Sequence, residues 1–131
     1  MKKTILVCTV VALAAGLAAL LFFVIIPEIN YDSVRKMPIA NVDVGAIADG
    51  SYHGQYAYGS YTYQADVTVK DGVIAKIDVR HGRDSEHARA AEGVVDRILA
   101  EQRVDVDVVS GATTTSKAIL KAVENALTAG E

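Results

Sequence analysis

The chain has 131 residues, a length that suits one domain with an attachment rather than two domains. Hydrophobic residues make up 51 % of it, and the formal net charge at pH 7 is −3. The apolar excess lies near the N-terminus, and beyond it 11 basic residues stand against 16 acidic ones, a balance that argues against a nucleic-acid partner.

The first predicted element is a membrane anchor over residues 1–26. Residues 5–26, ILVCTVVALAAGLAALLFFVII, carry no charge, and as a helix they extend about 33 Å, enough to cross a hydrocarbon core of about 30 Å. Lys2 and Lys3 precede the run, so the positive-inside rule keeps the N-terminus in the cytoplasm and sends the remainder across. We therefore predict a single-pass protein of the cell membrane with an extracytoplasmic C-terminal domain.

A cleavable signal peptide is the alternative for this segment. Its apolar core usually has about 7–15 residues and ends at small residues. Here the run is longer and ends in LLFFVIIP, which favours an uncleaved anchor. Cys8, the single cysteine, lies inside the run and cannot form an internal disulfide.

A linker and then a sheet are predicted next. Residues 27–47 show no sustained period and are predicted as a linker, and residues 48–131 as the folded domain. Three alternating runs follow in SYHGQYAYGSYTYQADVTVKDGVIAKIDVR. Gly59-Ser60 suits a two-residue type II′ turn. That turn pairs Tyr58 with Tyr61, Tyr56 with Tyr63 and Tyr52 with Val67.

The second turn has two possible registers. A two-residue Asp71-Gly72 loop would place Val67 on the same face as charged side chains. A three-residue Lys70-Asp71-Gly72 loop, with Gly72 left-handed, would instead pair Val69 with Val73 and Val67 with Ala75. We predict the second, because a one-residue slip moves a whole set of side chains to the other face. The apolar face then carries Tyr52, Tyr56, Tyr58, Tyr61, Tyr63, Ala65, Val67, Val69, Val73, Ala75, Ile77 and Val79.

Helical patterns follow the sheet. Residues 85–102 show an apolar stripe of helical spacing and open with Asp84 or Ser85 as a cap. VDVDVV at 104–109 alternates as a short strand does, and residues 115–128 are predicted as a second helix. Together these elements predict an α+β domain, an antiparallel β-meander with two helices packed on one face.

An unusual density of hydroxyl groups marks the entry to the last helix. Residues 107–116 read DVVSGATTTS, with five hydroxyls, whereas a helix N-terminus needs only one or two for capping. Free amides and the helix dipole make such a place suited to anions, and Gly111 leaves room for close approach. The residues alone leave open a phosphate-bearing ligand or plain capping. No P-loop pattern occurs.

The same stretch resembles a known signature. Asp107-Val108-Val109-Ser110-Gly111-Ala112-Thr113 is similar to the D-x-x-[ST]-G-A-[TS] pattern of the FMN-binding domain. That domain occurs in the C subunit of the sodium-translocating NADH:quinone reductase and in the G subunit of the Rnf complex. The resemblance extends to Asp49-Gly50-Ser51-Tyr52, to VTVKDGVIAKIDV at 67–79 and to the helix before the signature.

The resemblance implies a cofactor and an attachment site. In the family, a flavin transferase using FAD and Mg²⁺ joins FMN through a phosphoester to the last threonine of the signature, which here is Thr113. The surrounding residues that would contact the cofactor are Ser110, Gly111, Ala112, Thr114 and Thr115. Asp107 would serve in recognition by the transferase, since its charge repels phosphate.

The resemblance also implies a function. The chain would relay electrons between an upstream membrane donor and a downstream acceptor, as an electron-transfer component rather than a stand-alone enzyme. One alternative is a non-redox module that binds a phosphorylated or anionic ligand at the same helix N-terminus. Another is a membrane-tethered interaction domain in which the turn is merely capped.

The remaining polar and aromatic candidates weigh less. The tyrosines at 52–63 suit stacking on a flavin ring, but their place on the apolar face favours core packing. The three histidines lack metal-ligand spacing, so no metal site is predicted. Arg80 and Arg83 could contact a flavin or the acidic surface of a partner, but the sequence favours solvent-exposed charges.

Overall fold

The computed structural model describes residues 1–130, except for the side chains of residues 22–31. The chain divides into two compact units, Met1–Ser33 and Val34–Glu131. The first unit is helical and belongs to α1 (Lys2–Lys36). Within the described residues its stretch Lys2–Leu21 is long and apolar enough to cross a membrane. Cys8 is exposed on it, and the side chains of the last five residues of the predicted span lie outside the described ones.

The stretch predicted as a linker contributes to the core of the second unit. Helix α1 continues to Lys36 rather than ending with the apolar run, and a short 3₁₀ turn forms at Val44–Ala46. Among the described side chains of the stretch, four aliphatic ones are buried against the rest of the domain. They are Val34, Val42, Val44 and Ile47.

A three-stranded antiparallel sheet in the order β1-β2-β3 forms the middle of the domain. Its strands are β1 (Gly50–Tyr58), β2 (Tyr61–Lys70) and β3 (Val73–Arg80). The predicted β1–β2 register is confirmed in all three pairs: Tyr58 with Tyr61, Tyr56 with Tyr63, and Tyr52 with Val67. Gly59 has a φ of 58°, as the first central residue of a type II′ turn requires.

The predicted β2–β3 register is wrong. Lys70 pairs directly with Val73 across a two-residue turn, in which Asp71 and Gly72 both have positive φ (54° and 75°). That geometry is typical of a type I′ turn. The register then shifts between Thr68 and Val69, opposite Ala75, and such a bulge returns the later residues of the strand to the core side.

The bulge lets Val67 stay buried although the turn is short. Val67 pairs with Ile77 rather than with Ala75, and Ala65 pairs with Val79. Val73, predicted to face the core, is 48 % exposed, and Ala75 is exposed too. Ile74 is buried in their place.

Helices cover one face of the sheet, which confirms the α+β prediction. The predicted helix 85–102 forms as two, α2 (Glu86–Ala91) and α3 (Gly93–Glu101), with the chain breaking at Glu92. Glycine is a poor helix former, which favours a break at Gly93. Ser85 caps α2 by accepting from the Ala88 amide. Helix α4 (Thr113–Ala129) packs on β1 and β2, and α3 packs on β3.

The strand predicted at 104–109 does not form. Residues 103–112 run as irregular chain between α3 and α4, although Val104 and Val106 are buried as the alternation indicated. At the neighbouring end of β3, the Gln102 side chain hydrogen-bonds both the amide and the carbonyl of Ile74. The backbone amide and carbonyl of Ile74 are therefore already paired with a side chain.

Candidate functional site

The signature segment enters α4 through a turn. The Ala112 amide donates to the Val109 carbonyl at 3.0 Å, and Gly111 is left-handed with a φ of 80°. A non-glycine side chain is strained in that conformation. A Cβ atom at Gly111 would meet no heavy atom within 4 Å, so the space beside the turn is open.

Three of the five hydroxyls in the turn make contacts that the sequence did not indicate. Ser116 Oγ, fully buried, accepts from the Val109 amide at 3.2 Å. Thr115 Oγ1, also buried, accepts from Arg83 Nη1 at 3.3 Å. Thr114 Oγ1 accepts from Arg35 Nε at 3.3 Å. These three side chains connect the turn to the signature backbone and to two guanidinium groups.

Plain capping, one of the two alternatives that the sequence left open for these hydroxyls, is not observed. The residue at the N-cap position of α4 is Ala112, and no side chain caps the helix there. Among the described residues, the amides of Thr113, Thr114 and Thr115 find no acceptor. Three N–H groups are thus available at the positive end of a 17-residue helix, the arrangement that binds anions in many proteins.

Ser110 and Thr113 are the two hydroxyls left over. Neither makes a side-chain hydrogen bond within the described part of the chain. Ser110 is exposed and Thr113 is half-buried at the first position of α4. Thr113 is therefore partly exposed, and its hydroxyl has no partner among the described residues.

Two arginines lie beside this turn. Arg35 comes from the end of α1 and is exposed, while Arg83 follows β3 and is half-buried. Neither forms an ion pair with a carboxylate in the described residues. Arg83 was noted from the sequence only as a candidate, and nothing in the sequence singled out Arg35, which lies 79 positions from its partner Thr114.

Aromatic residues hold Arg83 in place. Its Nη1 donates to the Tyr58 hydroxyl at 3.0 Å, and its guanidinium lies 5.6 Å from the centroid of the Tyr61 ring. Burial opposes the charge, but the phenol oxygens of Tyr63 and Tyr58 outweigh it and raise the pKa of Arg83. The group therefore stays protonated.

Behind Arg83, the tyrosines pack in the core, as predicted. Tyr58 and Tyr63 stack in parallel at 5.7 Å, and the ring of His81 lies 5.4 Å from that of Tyr63. His81 Nε2 lies 3.0 Å from Glu92 Oε1. The Tyr63 hydroxyl and His81 Nδ1 are buried without a hydrogen-bond partner in the described structure.

At the start of the signature, Asp107 is exposed. Its backbone is fixed from behind, because Arg97 Nη1 donates to the carbonyls of Asp107 at 2.7 Å and of Val108 at 2.9 Å. The Asp107 carboxylate is therefore presented at the surface on a held segment. Arg97 and Ser116, which fix this backbone, were not found from the sequence, since contacts through a loop leave no periodic pattern.

The residues present suit a phosphate group. Three free amides, two guanidiniums without a carboxylate partner and an uncommitted hydroxyl lie along one turn, with open space at Gly111. Among the described residues, no group of three histidine, cysteine, aspartate or glutamate side chains could hold a metal ion. The chemistry of the turn is that of an anion site next to a free alcohol.

Comparison with known proteins assigns this site to a family. The model of the FMN-binding domain matches residues 58–128, more than half of the chain, including the signature and Arg83. The chain therefore belongs to the FMN-binding domain family, and its cofactor is FMN.

A similar protein is known from a bacterium. An uncharacterized protein of Treponema pallidum (strain Nichols) is 41 % identical over 81 residues, which cover 60 % of this chain. The chain spans 22 % of that relative's length.

Proposed function

We propose that this protein is a membrane-anchored, extracytoplasmic flavoprotein that carries FMN as a phosphoester on Thr113 and relays electrons between redox partners. The observation that carries the proposal is the state of Thr113. It occupies the acceptor position of the signature, it is half-buried rather than enclosed, and its hydroxyl has no partner in the described residues, whereas the next three hydroxyls are engaged.

The attachment step is a phosphoryl transfer from FAD. Thr113 Oγ1 forms a bond to the phosphorus of the FMN half, the bond from that phosphorus to the bridging oxygen breaks, and AMP leaves. The hydroxyl proton passes to a base of the flavin transferase, with Mg²⁺ as the transferase's metal ion. The exposed Asp107 carboxylate, on a segment held by Arg97, serves the transferase as a recognition point.

The chain's own residues place and retain the cofactor. The amides of Thr113, Thr114 and Thr115 at the N-terminus of α4 would hold the phosphate, and the helix dipole there favours negative charge. Ser110, Gly111 and Ala112 form the open side of the turn. When bound, the isoalloxazine ring supplies the redox chemistry. The protein thus acts as an electron-transfer component between a membrane donor and a downstream acceptor.

The first 21 residues support a location at the membrane. Lys2–Leu21 is apolar and helical over a length that crosses a bilayer, and the two lysines near its start favour a cytoplasmic N-terminus. Covalent attachment suits a site outside the cytoplasm, because a dissociated FMN would be lost there.

Coexpression with a flavin transferase tests the proposal. The purified full chain should carry an FMN-sized mass increase and remain yellow and fluorescent after denaturation, and a preparation without the transferase should lack both. Colour that is lost on denaturation would contradict the covalent link and leave FMN bound non-covalently.

For the relay, the flavin absorbance in membrane vesicles should bleach when a respiratory donor is supplied and recover with an oxidant. A flavin that responds to neither would contradict the relay.

A further inference from the structure

Two guanidinium groups reach the attachment turn from distant parts of the chain. Arg35 Nε contacts Thr114 Oγ1 and Arg83 Nη1 contacts Thr115 Oγ1, each at 3.3 Å. The two threonines directly follow Thr113, and they occupy successive positions of the first helical turn. Both positive groups therefore contact the two residues that directly follow the proposed acceptor.

No described carboxylate compensates the charges of these two arginines. Within the described residues, Arg80, Arg89 and Arg103 each pair with a carboxylate. Arg35 and Arg83 contact only hydroxyl groups and an aromatic ring. An acidic partner at either position would compete with a phosphate, and none is present among the described side chains that contact them.

Arg83 is oriented before any ligand arrives. The Tyr58 hydroxyl and the Tyr61 ring fix the guanidinium without neutralising it. Guanidinium has five N–H donors in a fixed fork, so those not used by Tyr58 and Thr115 remain for phosphate oxygens.

We propose that Arg35 and Arg83 are phosphate-positioning residues of the attachment turn. They hold the diphosphate of FAD while Thr113 is being modified, and the phosphodiester of attached FMN afterwards. This inference rests on the proposed attachment of FMN to Thr113. Both contacts to threonine are long for charged hydrogen bonds. Replacing them with hydrogen bonds to phosphate oxygens should therefore give a net favourable change in interaction free energy.

The rate of FMN attachment and the melting temperature test the phosphate-positioning role of Arg35 and Arg83. The variants are Arg35→Gln, Arg83→Gln and the two lysine replacements, Arg35→Lys and Arg83→Lys. The matched control is Arg89→Gln, which removes an arginine that pairs with Asp84 on the surface of α2. Each full-length chain in detergent is incubated with FAD, Mg²⁺ and a limiting amount of flavin transferase. Intact-mass spectrometry then follows the adduct with time.

We expect each glutamine variant to slow attachment about tenfold or more, as the loss of a charge-assisted hydrogen bond implies. The lysine variants should recover part of the rate, because they keep the charge without the fork. The control should react at the wild-type rate. Higher salt should slow the wild-type chain more than it slows the glutamine variants.

A second measurement separates phosphate positioning from a structural role. Replacing an arginine with a merely structural role would lower the melting temperatures of the free and the FMN-carrying chain equally. Replacing a phosphate-positioning arginine would instead narrow the difference in melting temperature between the two forms. If Arg83→Gln fails to fold, the Arg35 variants still test the proposal, because Arg35 is exposed and makes a single hydrogen bond among the described residues.

The outcomes distinguish the two proposals. The phosphate-positioning role is overturned, and the attachment to Thr113 is not, if the wild-type chain gains FMN and the glutamine variants match it. They match it if they react at the same rate and gain the same melting temperature on attachment. If the wild-type chain gains no FMN, both the attachment to Thr113 and the phosphate-positioning role are overturned. Slower attachment and a narrowed melting gap in Arg35→Gln, with an unchanged control, supports both.

Discussion

Gly54 in β1 and Ala126 in α4 are in direct backbone contact. A Cβ atom built on Gly54 would lie 2.2 Å from the amide nitrogen of Ala126 and 2.2 Å from the carbonyl oxygen of Ala122. No side chain can occupy that space unless the helix moves. Because α4 also carries Thr113 at its first position, this contact sets how the attachment turn lies relative to the sheet.

Gly54→Ala should therefore destabilise the domain by about 3 kcal/mol or more, since backbone atoms cannot yield as a flexible side chain can. Gly82→Ala is the control, because a Cβ atom there meets nothing within 4 Å. It should change stability by less than about 1 kcal/mol. Thermal unfolding of the two full-length variants in detergent checks this. Equal melting temperatures would show that α4 does not approach β1 so closely.

Much of this fold follows from short-range patterns in the sequence. The β1–β2 register came from a glycine-first turn and a row of tyrosines, both local features. The β3 register was wrong, because the bulge at Ala75 restores the apolar face after a short turn. Side-chain alternation cannot distinguish a longer loop from a short loop followed by a bulge, since both return Val67 to the core.

The candidate site was predictable only where it has a contiguous signature. Thr113 and its neighbours were found because they adjoin one another in the chain. The contact between Arg35 and Thr114 joins residues 79 positions apart, and the bond from Val109 to Ser116 depends on the path of an irregular loop. Neither contact leaves a periodic trace, so the sequence could not indicate what these hydroxyls bind within the protein.

Ser116→Ala tests whether the signature backbone depends on α4. The change removes the acceptor of the part-buried Val109 amide, and leaving such a group unpaired should cost about 1–3 kcal/mol. We also expect slower FMN attachment, because the loop ahead of Thr113 is no longer tied to the helix. Ser51→Ala, on an exposed position of β1, is the control for stability. Melting temperature and adduct mass measure the two effects, and a neutral Ser116→Ala would contradict the role of the bond.

The outer face of the sheet makes stability depend on pH. A hydrogen bond from His53 and, more weakly, the charge of Arg80 hold the pKa of Asp66 below its usual value, although burial opposes them. A carboxyl whose pKa is lower in the folded state stabilises the fold above its unfolded pKa of about 3.9. That contribution disappears as the pH falls through the folded value.

Asp66→Asn should accordingly lower the melting temperature at pH 6, and the difference from wild type should shrink as the pH is lowered from about 4. Asp71→Asn removes the same charge from an exposed position of the turn between β2 and β3 and controls for the general effect of net charge. Melting curves recorded between pH 2 and 7 measure this dependence. A difference that stays constant across that range would contradict the assigned direction.

The N-terminal helix should remain on the mature chain. The charge-free run after Lys2 and Lys3 is longer than a signal-peptide core and lacks small residues at its end, so a signal peptidase has no suitable site. N-terminal sequencing of protein from the membrane fraction should begin at Met1 or Lys2. Protease added to intact spheroplasts should digest the C-terminal domain, and its protection would place that domain in the cytoplasm. A mature chain that begins after about residue 20 would make the domain a secreted one.

Thr113 should be the single residue of the turn whose hydroxyl is required for covalent FMN. Thr113→Val removes an oxygen that has no partner in the described residues, so the domain should fold with nearly wild-type stability and carry no adduct. Thr114→Val and Thr115→Val should keep the adduct. The second should lose about 1 kcal/mol of stability, because the buried Thr115 hydroxyl bonds Arg83. Asp107→Ala should attach FMN more slowly while leaving the acceptor in place. Intact-mass spectrometry after coexpression with the transferase decides between the positions, and an FMN-sized adduct that persists in Thr113→Val would assign the ester to another hydroxyl.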